Sequence, residues 1–592
     1  MTLSAADWII IVLYFAVSAA IGLYYTARAG RSLSDYFLSG RSLPWWLAGT
    51  SMVATTFAAD TPLVVTALVV KYGVAGNWLW WNMALAGLLT VFLFARLWRR
   101  AGVLTDVEFV ELRYGGRPAA VLRGVRALYL AIPINLIIMG WVTKAMADVL
   151  EITLGVSGWQ VAAILFVITA GYAILAGLWG VVITDFFQFI VAMAGSIILA
   201  VLAVNHLGGL DRLTELATAR FGSREAAVGI LPPLQGGWLP LSSLIVFLAV
   251  QWWASWYPGA EPGGGGYVAQ RIMSTRDERH GLLATLWFNI AHYALRPWPW
   301  ILVGLFAAVS YPELSAPGQD PGRGYARAMV DLLPSPMRGL MLAAFAAAYM
   351  STIATHLNWG TSYFVNDFWL RFVRKGATTR EQVLVSRVAT AVLMLLALVV
   401  MRFLDTVEGG WRILLGIGAG TGLVLILRWY WWRINAWSEI VAMAASLVVS
   451  LAVWQIGGLR ADDPWALVIT VAASTVAWLT ATFLTGPESP ETLERFYRRA
   501  RPGGAGWRAV SERLGFGREP IPGGVMSWMN WVAGWVAVYS SLFAIGQLLV
   551  GTLLKAVVFA AVAASAFALI ARNLRRDPTF RSAAVDSPGA TL

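Results

Sequence analysis

The sequence predicts an all-α polytopic membrane protein, and three observations support this fold class. Only 13% of the 592 residues are charged and 58% are hydrophobic, whereas an ordinary soluble domain carries about 25% charged residues. Apolar stretches of about 20 residues, the length that crosses a bilayer as a helix, recur along the chain. The 31 Trp and 26 Phe residues supply the aromatic belts that lie at the level of the lipid headgroups. The lipid bilayer is therefore the first expected partner.

Fifteen apolar stretches are predicted to be membrane-spanning helices. Each is long enough to cross the hydrocarbon region and carries few charged residues. The predicted spans are 7–27, 46–70, 77–97, 124–149, 158–180, 182–205, 240–258, 281–309, 338–368, 384–404, 411–432, 436–456, 466–485, 527–548 and 553–572.

The distribution of basic residues predicts the orientation. With the N-terminus outside, the connections assigned to the cytoplasm hold most of the 44 Lys and Arg residues, as the positive-inside rule requires. We therefore expect a multi-pass protein of the plasma (inner) membrane with a cytoplasmic C-terminus. The net charge of +12 belongs to these loops, so no nucleic-acid partner is expected. The basic connection 486–526 is partly amphipathic and is expected to lie as an interfacial helix on anionic lipid.

Several enzyme classes are excluded by composition and motif. The chain has no Cys and four His, which excludes disulfides, Cys-ligated zinc, iron–sulfur clusters and Cys nucleophiles. No His/Glu spacing of a zinc protease and no GxSxG motif occurs. The GGGG run at 263–266 lacks the Lys-Ser/Thr that completes a phosphate-binding loop. The sequence therefore predicts neither an enzyme nor a bound cofactor.

Ionisable and amide side chains within the predicted spans are candidates for function, because each is costly in hydrocarbon unless it is paired or hydrated. Lys144 and Asp148 lie four residues apart and are expected to pair. Arg296 lies beside two prolines and is expected to bind the carbonyl groups that they free. The remaining candidates are Asp60, Asp185 with Gln188, Gln251 and His292.

The span 46–70 is predicted to be broken just past its middle. Pro62, which follows Asp60 and Thr61, lacks a backbone donor and clashes with the preceding turn. The chain between Ala54 and Asp60 is therefore expected to unwind. Free carbonyl oxygens are tolerated at this depth only where they line a cavity or bind a ligand, and as hard oxygen donors they suit Na⁺.

The stretch AAAYMSTIATHLN, residues 346–358, is unusually polar for a membrane helix. A single Ser or Thr there would be explained by a hydrogen bond to the carbonyl four residues earlier. Five polar residues among alanines exceed that role, and the alanines let another helix approach closely. The polar residues share one side of the helix or flank it and are Ser351, Thr352, Thr355, His356 and Asn358.

Four segments occur in the order and spacing of a known family. They read SDYFLSGRSLPWWLAGTSMVATTFAAD (34–60), AGLWGVVITDFFQF (176–189), YVAQRIMSTRDE (267–278) and AAAYMSTIAT (346–355). Together they resemble the signatures of the sodium:solute symporters, the family of the bacterial proline, sialic acid and galactose symporters and the animal sodium–glucose cotransporters. The resemblance covers most of residues 30–430.

The resemblance implies the LeuT-type fold, in which two inverted five-helix repeats form the core. One additional helix then precedes the core, and about four follow it. The predicted divisions are an N-terminal helix and loop (1–45), the first repeat (46–205), the second repeat (240–432), two further helices (436–485), a basic cytoplasmic linker (486–526), and two last helices with a short tail (527–592).

The resemblance also implies a sodium site. The family binds sodium through carbonyl oxygens of its first core helix and through carbonyl and hydroxyl oxygens of its eighth. The matching groups in this sequence are the carbonyls of Ala54, Phe57 and Ala348 and the hydroxyls of Ser351 and Thr352.

A second sodium site stays open. Some members bind another ion at the Asp of the Thr-Asp motif and at hydroxyls one turn along the eighth helix. Asp185 and Thr355 match those positions, but Ala354 stands where a hydroxyl is expected. Asp185 would alternatively line the exit path of the ion or anchor its helix.

The solute side departs further from the family. Tyr257 matches an aromatic inner gate of sugar-transporting members, whereas Ala254 replaces a sugar-contacting Asn. Tryptophans nearby are candidates for the wall of a pocket, and the carboxylate of Asp60 is a candidate for contact with a solute hydroxyl or amine. The candidate solute and gate residues are Asp60, Gln251, Trp253, Trp256 and Tyr257.

The predicted function is Na⁺-coupled import of a small organic solute by alternating access, with Na⁺ as the coupling ion. One alternative keeps the fold but couples to H⁺ through Asp185 or Asp60. Another is a non-transporting membrane sensor or a channel. The identity of the solute, the number of sodium ions and the oligomeric state stay open.

Overall fold

The computed structural model describes residues 3–29, 32–232, 241–256, 260–401, 403, 414, 418–459, 463–577 and 580. Throughout these ranges the regular structure is helical, apart from two isolated β-bridges that pair Leu43 with Thr275 and Ser255 with Ala419. The all-α fold class predicted from the sequence is therefore confirmed.

The helices of the first half are α1 (Ala5–Ala29), α2 (Leu33–Leu38), α3 (Trp45–Thr56), α4 (Asp60–Tyr72), α5 (Trp78–Trp81), α6 (Ala84–Ala101), α7 (Phe109–Arg113), α8 (Gly116–Leu154), α9 (Gly158–His206), α10 (Leu210–Phe221) and α11 (Arg224–Val228). Those of the second half are α12 (Leu244–Ala254), α13 (Gly266–Ser274), α14 (Glu278–Ile290), α15 (Pro297–Ser310), α16 (Arg323–Leu332), α17 (Met337–Val373), α18 (Thr379–Met401), α19 (Gly422–Tyr430), α20 (Ala436–Gln455), α21 (Pro464–Leu484), α22 (Pro490–Ala500), α23 (Arg508–Arg513), α24 (Val525–Val550) and α25 (Leu553–Arg576).

The described residues contain nine helices long and apolar enough to cross a membrane, or eleven if each of two bent pairs is one span. The polytopic prediction is confirmed, whereas the count of about fifteen spans is not. One reason is that the predicted spans 158–180 and 182–205 lie in α9, which breaks at Gly177 with a φ of +55°. The apolar part before this break, Gly158–Thr169, is short. Six residues of the predicted span 411–432, namely 411–413 and 415–417, lie outside the described residues.

Helices α3 and α4 form one of the bent pairs. The axis turns by 59° between them, and residues 57–59 lie outside both helices. Pro62 lies in the first turn of α4, where its missing N–H removes no helical hydrogen bond. The proline therefore begins a second helix, and a break occurs just before it as the sequence predicts. The unwound stretch is shorter than the predicted Ala54–Asp60, because α3 continues to Thr56 and the carbonyl of Ala54 accepts a hydrogen bond of 3.0 Å from the N–H of Phe57.

Helix α17 lies at the centre of the protein. In the most apolar part of α17, 94% of the residues are buried, whereas the corresponding share in α1 is 17%. Helix α17 packs against α1, α3, α8 and α9. The polar stretch 346–358 therefore faces other helices rather than lipid. The hairpins α20–α21 and α24–α25 are more exposed and carry apolar side chains on their outer faces.

The linker 486–526 contacts the helical core, and the expectation that it lies on lipid is wrong for α22. Phe496 is fully buried, and the centroid of its ring lies 5.7 Å from that of Phe109, 6.0 Å from that of Trp429 and 5.3 Å from that of Trp507. An amphipathic pattern reports that one face of a helix is covered, but it does not distinguish protein from lipid as the cover.

We expect Phe496→Ala to lower the free energy of unfolding by about 3–5 kcal/mol, the usual cost of truncating a buried Phe. Denaturant titration of the purified protein in detergent measures it. Phe483→Ala is the control, because Phe483 lies 64% exposed on the outer face of α21. Equal losses for the two variants would mean that α22 lies on lipid and not on the core.

Candidate functional site

The break between α3 and α4 faces the middle of α17. The Thr352 hydroxyl donates to the carbonyl of Thr55 over 2.8 Å and lies 3.1 Å from the carbonyl of Ala348 in its own helix. The hydroxyl oxygens of Thr55 and Thr355 lie 3.0 Å apart. These contacts hold the last turn of α3 against α17 at the level of the predicted sodium ligands.

The predicted sodium ligands are all buried and come from two facing segments. One segment is the broken end of α3, and the other is a single turn of α17. Carbonyl and hydroxyl oxygens presented by a discontinuous helix and its neighbour are the donors with which transporters of this architecture bind Na⁺. The exposed fractions are 2% for Ala54, 3% for Phe57, 4% for Ala348, 2% for Ser351 and 3% for Thr352.

A buried carboxylate lies beside these ligands. Asp185 of α9 accepts a hydrogen bond of 2.6 Å from the Ser351 hydroxyl and one of 2.5 Å from the Ser51 hydroxyl, on separate oxygens. Because the Ser351 hydroxyl directs its hydrogen at Asp185 in this hydrogen bond, the lone pairs of its oxygen remain available to a cation. Asp185 therefore orients a predicted sodium ligand and places a negative charge next to it.

The guanidinium of Arg271 contacts both residues proposed for a second sodium ion. Its Nη2 lies 2.7 Å from the Thr355 hydroxyl and 3.8 Å from Asp185 Oδ2, and its Nε lies 3.2 Å from the Ser51 hydroxyl. Arg271 is fully buried. Sequence reasoning gave Arg271 no role, because residue 271 falls in a connection between predicted spans. The Gln-Arg pair of the segment 267–278 was the available signal.

Asn358 was unexplained from the sequence and belongs to the same network. Its Oδ1 accepts a hydrogen bond of 2.9 Å from Gln270 Nε2, and Gln270 Oε1 accepts one of 2.8 Å from Arg271. Asn358 therefore positions the arginine through Gln270.

A cavity of about 80 Å³ lies beside the break. Thr56, Asp60 and Thr61 line it from α3 and α4, and Thr352 lines it from α17. Much of the remaining wall is aromatic and includes Trp80, Trp141, Tyr267 and Tyr293. Thr352 belongs both to this wall and to the predicted sodium ligands.

Arg296 lines the cavity, and its Nε donates to the carbonyl of His292 in its own segment over 3.3 Å, whereas its contacts with α3 were not predicted. Its Nη1 donates to the carbonyl of Val53 over 3.2 Å and to the Thr56 hydroxyl over 3.1 Å. His292 Nδ1 lies 2.9 Å from the same hydroxyl. Arg296 and His292 therefore stabilise the end of α3 just before its break.

Residues 36–448 match the model of the sodium:solute symporter family. The chain belongs to this family. Among curated relatives, it is 27% identical to sodium/glucose cotransporter 4 of Danio rerio, over 76% of this chain and 72% of that one. It is also 27% identical to sodium/mannose cotransporter SLC5A10 of Bos taurus, over 76% and 78% of the two chains. Na⁺-coupled solute symport is accordingly its function, and H⁺ coupling is not favoured.

A solved structure supports the fold of the symporter. The substrate-bound, outward-open state of a Na⁺-coupled sialic acid symporter matches it with a TM-score of 0.67 at 19% identity, over 82% of this chain and 99% of that one. At this identity the likeness shows the fold alone. The LeuT-type architecture expected from the resemblance is confirmed.

The solute and gate residues predicted for the symporter lie in different places. Asp60 lines the cavity beside the break, and Trp256 lines a separate cavity of about 310 Å³. Gln251 is buried in a π-helical turn, and its Oε1 has no hydrogen-bond partner among the described residues. Trp253 is half-buried and donates to the backbone of its own helix. Tyr257 lies outside the described residues.

The symporter also contains a buried group of four charges that sequence reasoning missed. Glu261 accepts hydrogen bonds from Arg126 over 3.2 Å and from Trp256 over 2.6 Å. Glu439 accepts from Arg126 over 3.2 Å, and Arg428 lies within 3.5 Å of both glutamates. Two positive and two negative charges thus connect the segment after α12 to α8, α19 and α20. Residues this far apart in the chain leave no local pattern that predicts their pairing.

Proposed function

We propose that the symporter imports a small organic solute together with Na⁺, which binds between the broken end of α3 and the middle of α17. The carbonyls of Ala54, Phe57 and Ala348 and the hydroxyls of Ser351 and Thr352 are the proposed ligands. The observation that carries this proposal is the 2.8 Å contact of the Thr352 hydroxyl with the carbonyl of Thr55, because it brings a predicted hydroxyl ligand to the helix break.

Coupling between ion and solute follows from shared residues. Thr352 is a proposed sodium ligand and also lines the cavity beside the break. Thr55 and Thr56 of α3 line the same cavity. A sodium ion that holds α3 against α17 stabilises the arrangement of this wall. Sodium and solute then favour the same state of the protein, which is the thermodynamic requirement for coupling.

We propose that a single sodium ion moves in each cycle. Thr355 and Asp185, the residues proposed for a second ion, are both contacted by the guanidinium of Arg271. Ala354 presents no hydroxyl there. The arginine supplies the positive charge that a second ion would bring to Asp185.

The proposed setting is the inner membrane, with the N-terminus outside and the C-terminus in the cytoplasm, as the basic residues predict. The proposed core consists of repeats 46–205 and 240–432. Because two relatives are named for glucose and mannose, hexoses are the first solutes to test.

The test is uptake of ²²Na⁺ by proteoliposomes with an inward sodium gradient. We expect solute-dependent sodium entry and solute accumulation that stops when choline replaces Na⁺. Collapse of the pH gradient with a protonophore is expected to leave uptake unchanged. Accumulation that persists in choline, or that the protonophore abolishes while the sodium gradient remains, would contradict the proposal.

A further inference from the structure

Helix α1 contacts the two helices that hold the predicted sodium ligand Ser351 and its partner Asp185. The helix precedes the predicted core, and few of its residues are buried. It nevertheless packs against both α9 and α17. Contacts at three levels along α1 fix its position against these two helices.

The first contact is at the start of α17. The residue before this helix, Pro336, provides no side-chain hydrogen bond to its first turn. Asp7 of α1 provides one instead, because its Oδ1 accepts from the N–H of Gly339 over 2.7 Å. A Cβ at position 339 would lie 2.4 Å from the carbonyl oxygen of Asp7, so glycine is what allows this approach. Asp7, which is fully buried, therefore caps α17 from another helix and places a negative charge at its N-terminus.

The second contact lies beside the predicted sodium ligands. The Tyr14 hydroxyl donates to Met350 Sδ over 3.7 Å and accepts a hydrogen bond of 3.0 Å from Gln188 Nε2. Met350 directly precedes Ser351 in α17, and Gln188 follows Asp185 by three residues in α9. Tyr14 therefore contacts both helices within one turn of the hydrogen bond between Ser351 and Asp185.

The third contact is at the other end of α1. The rings of Tyr25 and Trp179 are stacked, with 5.8 Å between their centroids and 5° between their planes. Trp179 lies two residues after the break of α9 at Gly177. This contact holds α1 on α9 away from Asp185, and it depends on the ring of Tyr25.

The hydrogen bond from Gln188 to Tyr14 determines where the Gln188 amide points. Gln188 is buried, and its Oε1 has no hydrogen-bond partner among the described residues. Residues three apart in a helix lie on the same face, so an amide released from Tyr14 can donate to Asp185. Such a bond would compete with the hydrogen bond from Ser351, which orients a predicted sodium ligand.

We propose that α1 takes part in sodium binding, and that Tyr14 is a positioning residue for it. By accepting from Gln188, the Tyr14 hydroxyl keeps the amide away from Asp185 and leaves that carboxylate to Ser351. The inference deepens the proposed function and rests on it. It gives a role in ion binding to a helix that lies outside the two predicted repeats.

The experiment uses Na⁺ as the probe. The midpoint of thermal unfolding of the purified full-length protein is measured in detergent while Na⁺ replaces K⁺ at constant ionic strength. The Na⁺ concentration for half of the maximal stabilisation reports the affinity for sodium. We expect Tyr14→Phe to raise this concentration by about three- to tenfold, the usual effect of one hydrogen bond. The matched control is Tyr25→Phe, which keeps the ring that stacks on Trp179 and should titrate as the wild type does.

A double variant separates positioning from packing. In Tyr14→Phe/Gln188→Leu no amide competes for Asp185, so the affinity for sodium should return toward the wild-type value. If the leucine variant does not fold, Gln188→Met, which is unbranched like glutamine, replaces it. A merely structural role of Tyr14 would lower the midpoint in K⁺ and leave the sodium titration unchanged, and this result would overturn the inference. An affinity that stays low in the double variant would overturn it as well.

The same titration on Thr352→Val separates this inference from the proposed sodium ligands. If Thr352→Val titrates as the wild type does but Tyr14→Phe is shifted, the proposed ligands are contradicted and the role of Tyr14 at Asp185 stands. If Thr352→Val is shifted but Tyr14→Phe is not, the inference about α1 alone is overturned.

Discussion

Thr352→Val is expected to raise the sodium concentration for half-maximal uptake by about 10–100-fold, which corresponds to about 1.5–3 kcal/mol for one lost contact to a charge. Valine keeps nearly the same shape but removes the hydroxyl that lies 2.8 Å from the carbonyl of Thr55. Solute uptake by proteoliposomes at graded Na⁺ concentrations measures the effect.

The control for this variant is Thr169→Val. Thr169 is buried and donates only to the carbonyl of Leu165, four residues earlier in its own helix. This substitution removes a buried hydroxyl without touching the proposed site, so its sodium dependence should equal that of the wild type. Equal shifts in the two variants would mean that Thr352 acts through helix packing and not through the ion.

Arg271→Met is expected to destabilise the protein by about 3–5 kcal/mol, because it leaves Asp185 charged and buried without its cationic neighbour. Arg271 and Asp185 are both fully buried, with 3.8 Å between their charged groups. In the double variant Arg271→Met/Asp185→Asn neither charge remains, so much of the lost stability should return. Denaturant titration in detergent, at constant ionic strength in K⁺, measures both effects.

Sodium provides a second measurement on Arg271→Met. A sodium ion can neutralise Asp185 once the guanidinium is gone, so exchange of K⁺ for Na⁺ should stabilise this variant more than the wild type. The double variant lacks the carboxylate and should lose this additional response. If exchange of K⁺ for Na⁺ stabilised the wild type and Arg271→Met equally, this result would contradict the role of Arg271 as the cation that neutralises Asp185.

Much of the fold was predictable because the evidence for it is local in the chain. Apolar stretches of bilayer length predict spanning helices wherever they occur, and Pro62 predicts the break of the second predicted span. The count of spans was less predictable. The predicted boundary between 158–180 and 182–205 lies close to the break of α9 at Gly177, where φ is +55°. The sequence did not predict that the apolar helix before this break, Gly158–Thr169, is shorter than a full span. The apolar face of α22 was visible in the sequence, but its partner was not.

The candidate site divides in the same way. Ser351 and Thr352 stand out because five polar residues fall within one helix, and the helix break was predicted because Pro62 lacks a backbone donor. Arg271 was not found, although its motif was noticed. Its contacts with Ser51, Asp185 and Thr355 join positions 84 to 220 residues apart, and no spacing within one helix indicates them.

The sequence by itself determined the class of this protein, its family and the two segments that bear the proposed sodium ligands, because composition, helical period and motif are properties of short stretches. Only the tertiary structure decided how these segments are used. It brought a guanidinium against Asp185, placed the Tyr14 hydroxyl at the amide of Gln188 and covered α22 with the core. Each of these depends on which helices become neighbours, and that choice is made by the packing of the whole chain.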